Sequence, residues 1–274
     1  MSVTGLYKRL CDVQFLKNSW QIVKAKGSAG GLDKVSVEMF NADVTSELEN
    51  LKNELLNGTY IPIPYKKVSI LKSNNEYRHL GLLSVRDKII QQAIYNLLYP
   101  IVDKKLNNAC YAYRHQKGAV KAINRAKHLV DYGKFSFIVS CDLRKYFDNI
   151  DHLLLFEMLG KIIDDKKFIE LVKLCTKMGR VKRGNRWEDV DLGIPQGSVI
   201  APVLANFYLT LLDEVMINNK YGYVRYADDF IILTKSYDEA KKAIAVAEDI
   251  IYNKLKLQIK EKAEIITLEQ GFTF

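Results

Sequence analysis

Several common kinds of functional site are missing from this sequence. Its 274 residues include four cysteines and four histidines, and neither set is clustered. Cys11, Cys110, Cys141 and Cys175 lie far apart, which excludes a C-x-x-C metal or redox motif. Scattered cysteines of this kind are expected to be reduced and buried. His79, His115, His128 and His152 form no ligand group either. No apolar run approaches the ~20 residues needed to span a bilayer. The stretch from Met1 to Trp20 is polar and charged, without the apolar core of a secretory signal. The expectation is a cytoplasmic protein with no membrane partner. Prolines are few, and no low-complexity tract or internal repeat is present, which excludes solenoid architectures.

What is present is a core-forming composition, 48% hydrophobic and 27% charged. The length suits one large domain or two intimate ones. Lys+Arg number 41 and Asp+Glu 32, so the formal net charge is +9. That excess favours polyanionic partners through counterion release, although many basic proteins bind no nucleic acid.

Periodicity predicts helices over 6–26, 43–56, 84–98, 118–132 and 238–254. Lys26 to Gly31 reads as a flexible basic loop. Residues 61–70 read as extended, because Pro62 and Pro64 push their predecessors out of the helical region. Ser73-Asn74-Asn75 reads as a turn between strands. Residues 135–141 form an apolar strand ending at Asp142. Residues 193–216 read as a turn leading into a long apolar helix, and 223–234 as two strands around a tight turn at Ala227-Asp228-Asp229. Gly271 to Phe274 reads as the start of another strand.

The chemistry is carried by carboxylates at the ends of apolar strands. Asp228 and Asp229 are adjacent between two such strands. Burying like charges side by side is costly unless a cation compensates, and an all-oxygen site suits Mg²⁺. Taken alone, the segment describes a polar hairpin turn equally well. Asp142 at the end of a second apolar strand changes the balance, because two strands side by side would bring Asp142 next to Asp228. Three carboxylates could then hold two metal ions about 3.5–4 Å apart, the geometry of in-line phosphoryl transfer.

These residues resemble a known family. Tyr226-Ala227-Asp228-Asp229 resembles the Y-x-D-D box of reverse transcriptases. Asp142 to Phe147, with Asp148-Asn149-Ile150-Asp151-His152, resembles their first aspartate motif. The segment Gly193-Ile194-Pro195-Gln196-Gly197-Ser198, running on to Asn206, resembles their P-Q-G motif and the helix after it. Upstream, 27–33 resembles the N-terminal extension motif of the bacterial, group II intron-like lineage. Tyr77-Arg78-His79-Leu80-Gly81 and 85–94 resemble its R-x-L-G and V-x-D-R-x-x-Q-x-A blocks. The resemblance covers 27–274. Departures are Ser198 in place of a second glycine, Ala201 in place of serine, and Ala112-Tyr113-Arg114-His115 in place of G-F-R-P.

The resemblance implies an α+β right-hand fold. Fingers would occupy 1–117, including the N-terminal extension, and 156–192. Palm would occupy 118–155 and 193–274, with an antiparallel sheet backed by helices and no thumb in this chain. It implies an RNA-directed DNA polymerase that extends a primer 3′-hydroxyl with dNTPs on an RNA template by two-metal phosphoryl transfer. Asp142, Asp228 and Asp229, with the backbone carbonyl of Leu143, would hold two Mg²⁺ ions, Mn²⁺ being a substitute. Lys72 and Arg78 would reach the triphosphate. Phe147 would sit under the incoming sugar and reject a 2′-hydroxyl. Gln196 would contact the nucleotide, and Gly197 would let the backbone approach it.

Lys262 would be the acid that protonates pyrophosphate, although its lysine neighbours also fit a solvated face. Arg86, Lys88, Arg114, Lys117 and Tyr226 would line the template–primer track and grip an A-form-like duplex. Intron RNA and CRISPR adaptation proteins are further implied partners. Two other readings stay open: an RNA-binding maturase-type module with secondary or no polymerase activity, and an RNA-dependent RNA polymerase with the same palm.

Overall fold

The computed structural model describes residues 3–27, 30–71, 77–178, 180–181, 187–188, 192–261 and 263–268; for 78, 79, 180, 181, 187 and 188 it describes the backbone alone. The predicted turn at Ser73-Asn74-Asn75 and the strand start at Gly271 to Phe274 lie outside the described residues. Among those described, the strands are β1 (Lys66–Leu71), β2 (Tyr77–Leu82), β3 (Phe137–Asp142), β4 (Arg180–Val181), β5 (Trp187–Glu188), β6 (Gly222–Tyr226), β7 (Asp229–Thr234) and β8 (Glu264–Thr267). β1 pairs with β2 and β4 with β5. The others form one sheet in the order β6-β7-β3-β8, antiparallel at every step. No helix among the described residues is long and apolar enough to cross a membrane.

The chain divides into two compact units, Met1–Ile101 with His152–Pro202, and Val102–Asp151 with Val203–Phe274. The sequence reading drew its first border after residue 117. Residues 109–111 belong instead with the second unit, because they run alongside β6: Arg225 N donates to Ala109 O at 2.8 Å, and Tyr111 N to Arg225 O at 2.9 Å.

The first unit is mostly helical. The single helix predicted over 6–26 is two, Leu6–Leu10 and Val13–Lys26. Asp12 breaks it by adopting an extended conformation (ψ 126) and capping the second helix, accepting from Phe15 N at 2.9 Å. Trp20, fully buried, packs against Phe40 with ring centroids 4.9 Å apart. The helix predicted over 84–98 runs from Val85 to Asp103, through Pro100.

Asp87, in the first turn of that helix, organises the chain around it. Its carboxylate accepts from Tyr60 Oη at 2.7 Å, Ile63 N at 2.9 Å and Ser84 Oγ at 2.7 Å. These bonds tie the proline-containing stretch 61–64 to the helix start. Burial raises the carboxyl's pKa, and the three donors pull it back down.

In the second unit helices pack on both faces of the four-stranded sheet, which is why β7 reads as a continuous apolar run rather than an alternating one, while β3 is interrupted by the exposed Ser140. Phe230, Ile231, Ile232 and Leu233 are all fully buried. Ile138, Ile231, Leu233 and Val224 share a core with Ala122 and Ala126 of the helix Ala119–Tyr132. The helix Tyr237–Glu248 packs on β3 and β7 through Ala240, Ala243 and Ala247, small residues that allow close approach. Ser236 caps it, accepting from Glu239 N at 3.2 Å. The long apolar helix predicted after Gly197 is two helices, Ala201–Tyr208 and Thr210–Asn218. All four cysteines are free and buried, as their isolation in the sequence predicts.

Asp87→Ala leaves three donors facing an apolar space. Each orphaned buried group costs about 1–3 kcal/mol, so the variant is expected to lose about 3 kcal/mol in urea denaturation. A loss under about 1 kcal/mol would mean that water or a shifted side chain replaces the carboxylate.

Candidate active site

The carboxylates are placed by strand register. β3 and β7 pair antiparallel from Phe137↔Thr234 to Asp142↔Asp229, so the two aspartates are direct cross-strand partners at the sheet's end. Directly opposed residues share a face and approach closely. β6 and β7 are joined by a two-residue loop, Ala227-Asp228, closed by the pair Tyr226↔Asp229. Asp229 begins β7 and is the direct partner of Asp142, and Asp228 precedes it in the turn. Ala227 takes the left-handed conformation with φ 57. Glycine occupies that region freely, and alanine does so only when its surroundings hold it there.

Crowding shows in the electrostatics. The Asp229 pKa is pushed up to about 6, first by burial, then by the charges of Asp142 and Asp228 and a hydrogen bond with Asp142. Lys260 opposes the shift. Its ammonium lies 3.0 Å from Asp142 Oδ2, and its backbone N donates to Asp142 O at 2.8 Å. The hydrogen bond and charge of Asp142 in turn raise the pKa of Lys260.

The sequence reading did not single out Lys260. Its place follows from pairing between 256–261 and the residues after β3: Leu143 bridges Ile259, and Arg144 N donates to Gln258 O at 2.8 Å. The donor chemistry, carboxylate oxygens pressed together against their own repulsion, fits a hard divalent cation. As the side chains stand, no three His, Cys, Asp or Glu groups among the described residues form a ready metal cage. Asp142 is held by Lys260 and by its hydrogen bond with Asp229.

Leu143 is buried directly after Asp142. Phe147 lies in the short 3-10 helix Tyr146–Asn149 and is 9% exposed. Its ring meets Tyr146 at 5.5 Å and Tyr113 at 6.5 Å, both edge-on. Tyr226 is partly buried against the sheet core. These residues all belong to the second unit, with Asp142, Asp228 and Asp229.

Gln196 and Gly197 lie in the first unit, in a loop fastened to β2. Gln196 O accepts from Gly81 N at 2.6 Å. Gly197 has φ 105, and a Cβ there would come within 2.6 Å of Gly81 O, so the position admits only glycine. Gln91, fully buried, completes the fastening: its Oε1 accepts from Ser198 Oγ at 2.7 Å and from Val199 N at 2.9 Å. That contact gives Ser198, the departure from a second glycine, a physical use. The signal for Gln91 in the sequence was a glutamine within an apolar helix face.

The predicted template-facing cations are engaged within the protein. Arg86 pairs with Glu54 and stacks over the Tyr60 ring, 5.5 Å from its centroid. Arg114 donates to Asp103 Oδ1 at 2.7 Å, Asn107 O at 2.6 Å and Cys110 O at 3.1 Å. Lys117 donates to Asn108 O at 2.9 Å and lies 4.7 Å from the Tyr111 ring centroid. Burial lowers the pKa of Lys88, with Asp33 opposing the shift. These contacts orient Arg86, Arg114 and Lys117 toward groups of the protein itself. Arg78 stands opposite Ile70 in the β1–β2 ladder, and only its backbone is described. Lys72 and Lys262 lie outside the described residues.

A family model described as reverse transcriptase (RNA-dependent DNA polymerase) matches residues 67–274. Protein YkfC of Escherichia coli (strain K12) is 30% identical, the match covering 100% of this chain and 82% of that protein. The group II intron-encoded protein LtrA of Lactococcus lactis subsp. cremoris is 28% identical, over 96% of this chain but only 43% of its own length. Among solved structures, a partial Cas6-RT-Cas1–Cas2 complex matches with TM-score 0.55 and 21% identity, covering 92% of this chain and 42% of that one. Apo telomerase from Candida tropicalis matches with TM-score 0.56 and 13% identity, over 85% of this chain and 50% of that one. At these identities the structural matches speak to the fold, the fingers and palm of a right-hand polymerase.

The raised Asp229 pKa sets a pH dependence. Below about pH 4 the carboxyl is protonated in folded and unfolded chains alike. Between about 4 and 6 the unfolded chain ionises first, so the folded form binds more protons and loses stability as pH rises. Asp229→Asn removes this titration. In metal-free buffer the variant is expected to gain melting temperature relative to wild type from about pH 4 to about pH 6 and to level off above. A constant difference across that window would show that the carboxyls are not crowded.

Proposed function

The chain belongs to the reverse transcriptase (RNA-dependent DNA polymerase) family, and from that premise we propose that it extends a primer 3′-hydroxyl with dNTPs on an RNA template. The observation that carries this reading is the Asp142↔Asp229 register at the end of two buried strands, with Asp228 in the adjoining turn. Asp142, Asp228 and Asp229, with the Leu143 carbonyl, are the groups that would hold two Mg²⁺ ions, or Mn²⁺ in their place. Such ions, when bound, activate the attacking hydroxyl and neutralise the triphosphate.

The chain's own residues do the positioning. The strand register brings Asp142 and Asp229 together on one face of the sheet. Lys260 neutralises part of the cluster's charge and would have to yield Asp142 to the ion. Phe147, braced by two aromatic neighbours, is suited to exclude a ribose 2′-hydroxyl by overlap. Gln196 would contact the nucleotide from a loop that Gln91 and Gly81 hold rigid. Lys72 and Arg78 would supply charge to the triphosphate.

The net charge of +9 suits an RNA template and primer as partners. The chain spans less than half of the intron-encoded relative LtrA, and intron RNA or CRISPR adaptation proteins are further candidate partners. A purely RNA-binding role is the less supported reading, because it leaves the crowded carboxylates unexplained.

Two substitutions test the proposal in primer extension. Asp228→Asn is expected to lower nucleotide addition at least about 100-fold. It should leave the fold intact, because it removes one charge from a repelling cluster. Wild-type turnover in that variant would sink the assignment. Phe147→Val is expected to raise the ratio of rNTP to dNTP incorporation, and to cost about 1–3 kcal/mol because the ring is also packed. An unchanged ratio with lowered stability would make Phe147 a core residue only.

A further inference from the structure

On the strand leading into the catalytic turn lies an ion pair for which the proposed chemistry has no use. Arg225 of β6 and Asp213 of the helix Thr210–Asn218 both have fully buried side chains. Arg225 Nε donates to Asp213 Oδ1 and Nη2 to Oδ2, each at 2.6 Å, a bidentate fork. Tyr223 Oη donates to the same Oδ1 at 2.9 Å. Nη2 also reaches Asn206 O at 3.4 Å. Nη1 then serves two acceptors, Asn206 Oδ1 at 3.2 Å and the backbone carbonyl of Ala227 at 2.9 Å. Every guanidinium N–H is thus used.

A buried ion pair is weak evidence for stability, because an apolar pair of similar volume is often as stable. The Ala227 contact gives this one another purpose. Ala227 is the left-handed residue of the catalytic turn, a conformation that persists only where its surroundings impose it. Asn206 extends the restraint, donating from Nδ2 to Ala112 O at 2.7 Å and accepting from the Cys110 thiol at 3.3 Å.

We propose that Arg225, clamped by Asp213, is a positioning residue: by holding the Ala227 carbonyl it fixes the turn that presents Asp228 and Asp229, and so sets how well the carboxylates take up a divalent cation. The catalytic consequence rests on the polymerase reading; the cation-binding consequence does not.

The test uses Arg225→Met combined with Asp213→Leu in the full chain, which removes both charges and orphans neither. The melting temperature is expected to fall, because the Tyr223 hydroxyl and the Ala227 carbonyl lose these buried partners, so the cation comparison is made well below the melting temperature of the variant. Mn²⁺ affinity, read by electron paramagnetic resonance, is expected to fall about 10-fold, as for residues that orient metal ligands. Single-nucleotide kcat is expected to fall about 10–100-fold with dNTP KM little changed. Arg225→Lys, which keeps the charge but loses the fork, is expected to fall between, and it carries the same readouts if the double variant does not fold. Wild-type Mn²⁺ affinity in a folded variant would overturn the proposal. If wild-type protein extended no primer, the polymerase reading would fall while the Mn²⁺ comparison still decided this one.

Discussion

The antiparallel pairing of β3 with β7 is the constraint from which the site follows. Side chains alternate across a sheet with a period of two, so a slip of one residue would turn Asp142 away from Asp229 and carry Ile138, Ile231 and Leu233 out of the core they share. Fully burying an aliphatic or aromatic side chain is worth about 1.5–3 kcal/mol. A slipped register would lose that contribution at several positions at once. The crowding of carboxylates, which raises the Asp229 pKa, is much weaker than this combined penalty. The hydrophobic core therefore enforces an electrostatic arrangement that the carboxylates alone would avoid.

That division of labour explains why the site's position was legible in the sequence. An apolar run covered on both faces followed by an acid is visible in one dimension, and it occurs at Cys141-Asp142 and again around Asp228-Asp229. The strands formed where the runs lie. The P-Q-G loop was legible for a related reason: φ 105 and the close approach of Gly81 O leave no alternative to glycine at position 197. Helix ends were harder to read. Apolar periodicity passes straight through Cys11 and Asp12, and the break there is decided by one side chain turning back to cap Phe15 N.

What the sequence could not show are contacts decided by tertiary neighbours. Which aspartate faces Asp142 depends on a loop two residues long, and the motif reads the same either way. Lys260 stands in a lysine-rich stretch where each cation resembles the next; only the bridge between Leu143 and Ile259 selects it. Arg86, Arg114 and Lys117 look in the sequence like free surface cations suited to phosphate. Whether a guanidinium is free is decided by groups such as Glu54 and Asp103, which belong to other elements or other turns of the chain. Arg225 and Asp213 lie on separate elements, and neither periodicity nor spacing pairs them.

The same logic bears on the catalytic turn itself. A two-residue hairpin loop with a positive φ at its first position ordinarily selects glycine, asparagine or aspartate. Here that position is alanine, and the acid beside it is one of the proposed cation ligands. Glycine would relax the local strain but leave the loop more conformations to lose when the carboxylates gather. Alanine narrows that choice, and its cost is met by a fully buried guanidinium donating to its carbonyl. The acids thus stand on strands and on a turn constrained from below, rather than on a mobile loop. Such an arrangement fixes the backbone from which the carboxylates project, so that release of Asp142 by Lys260 is the main rearrangement left for a cation to drive.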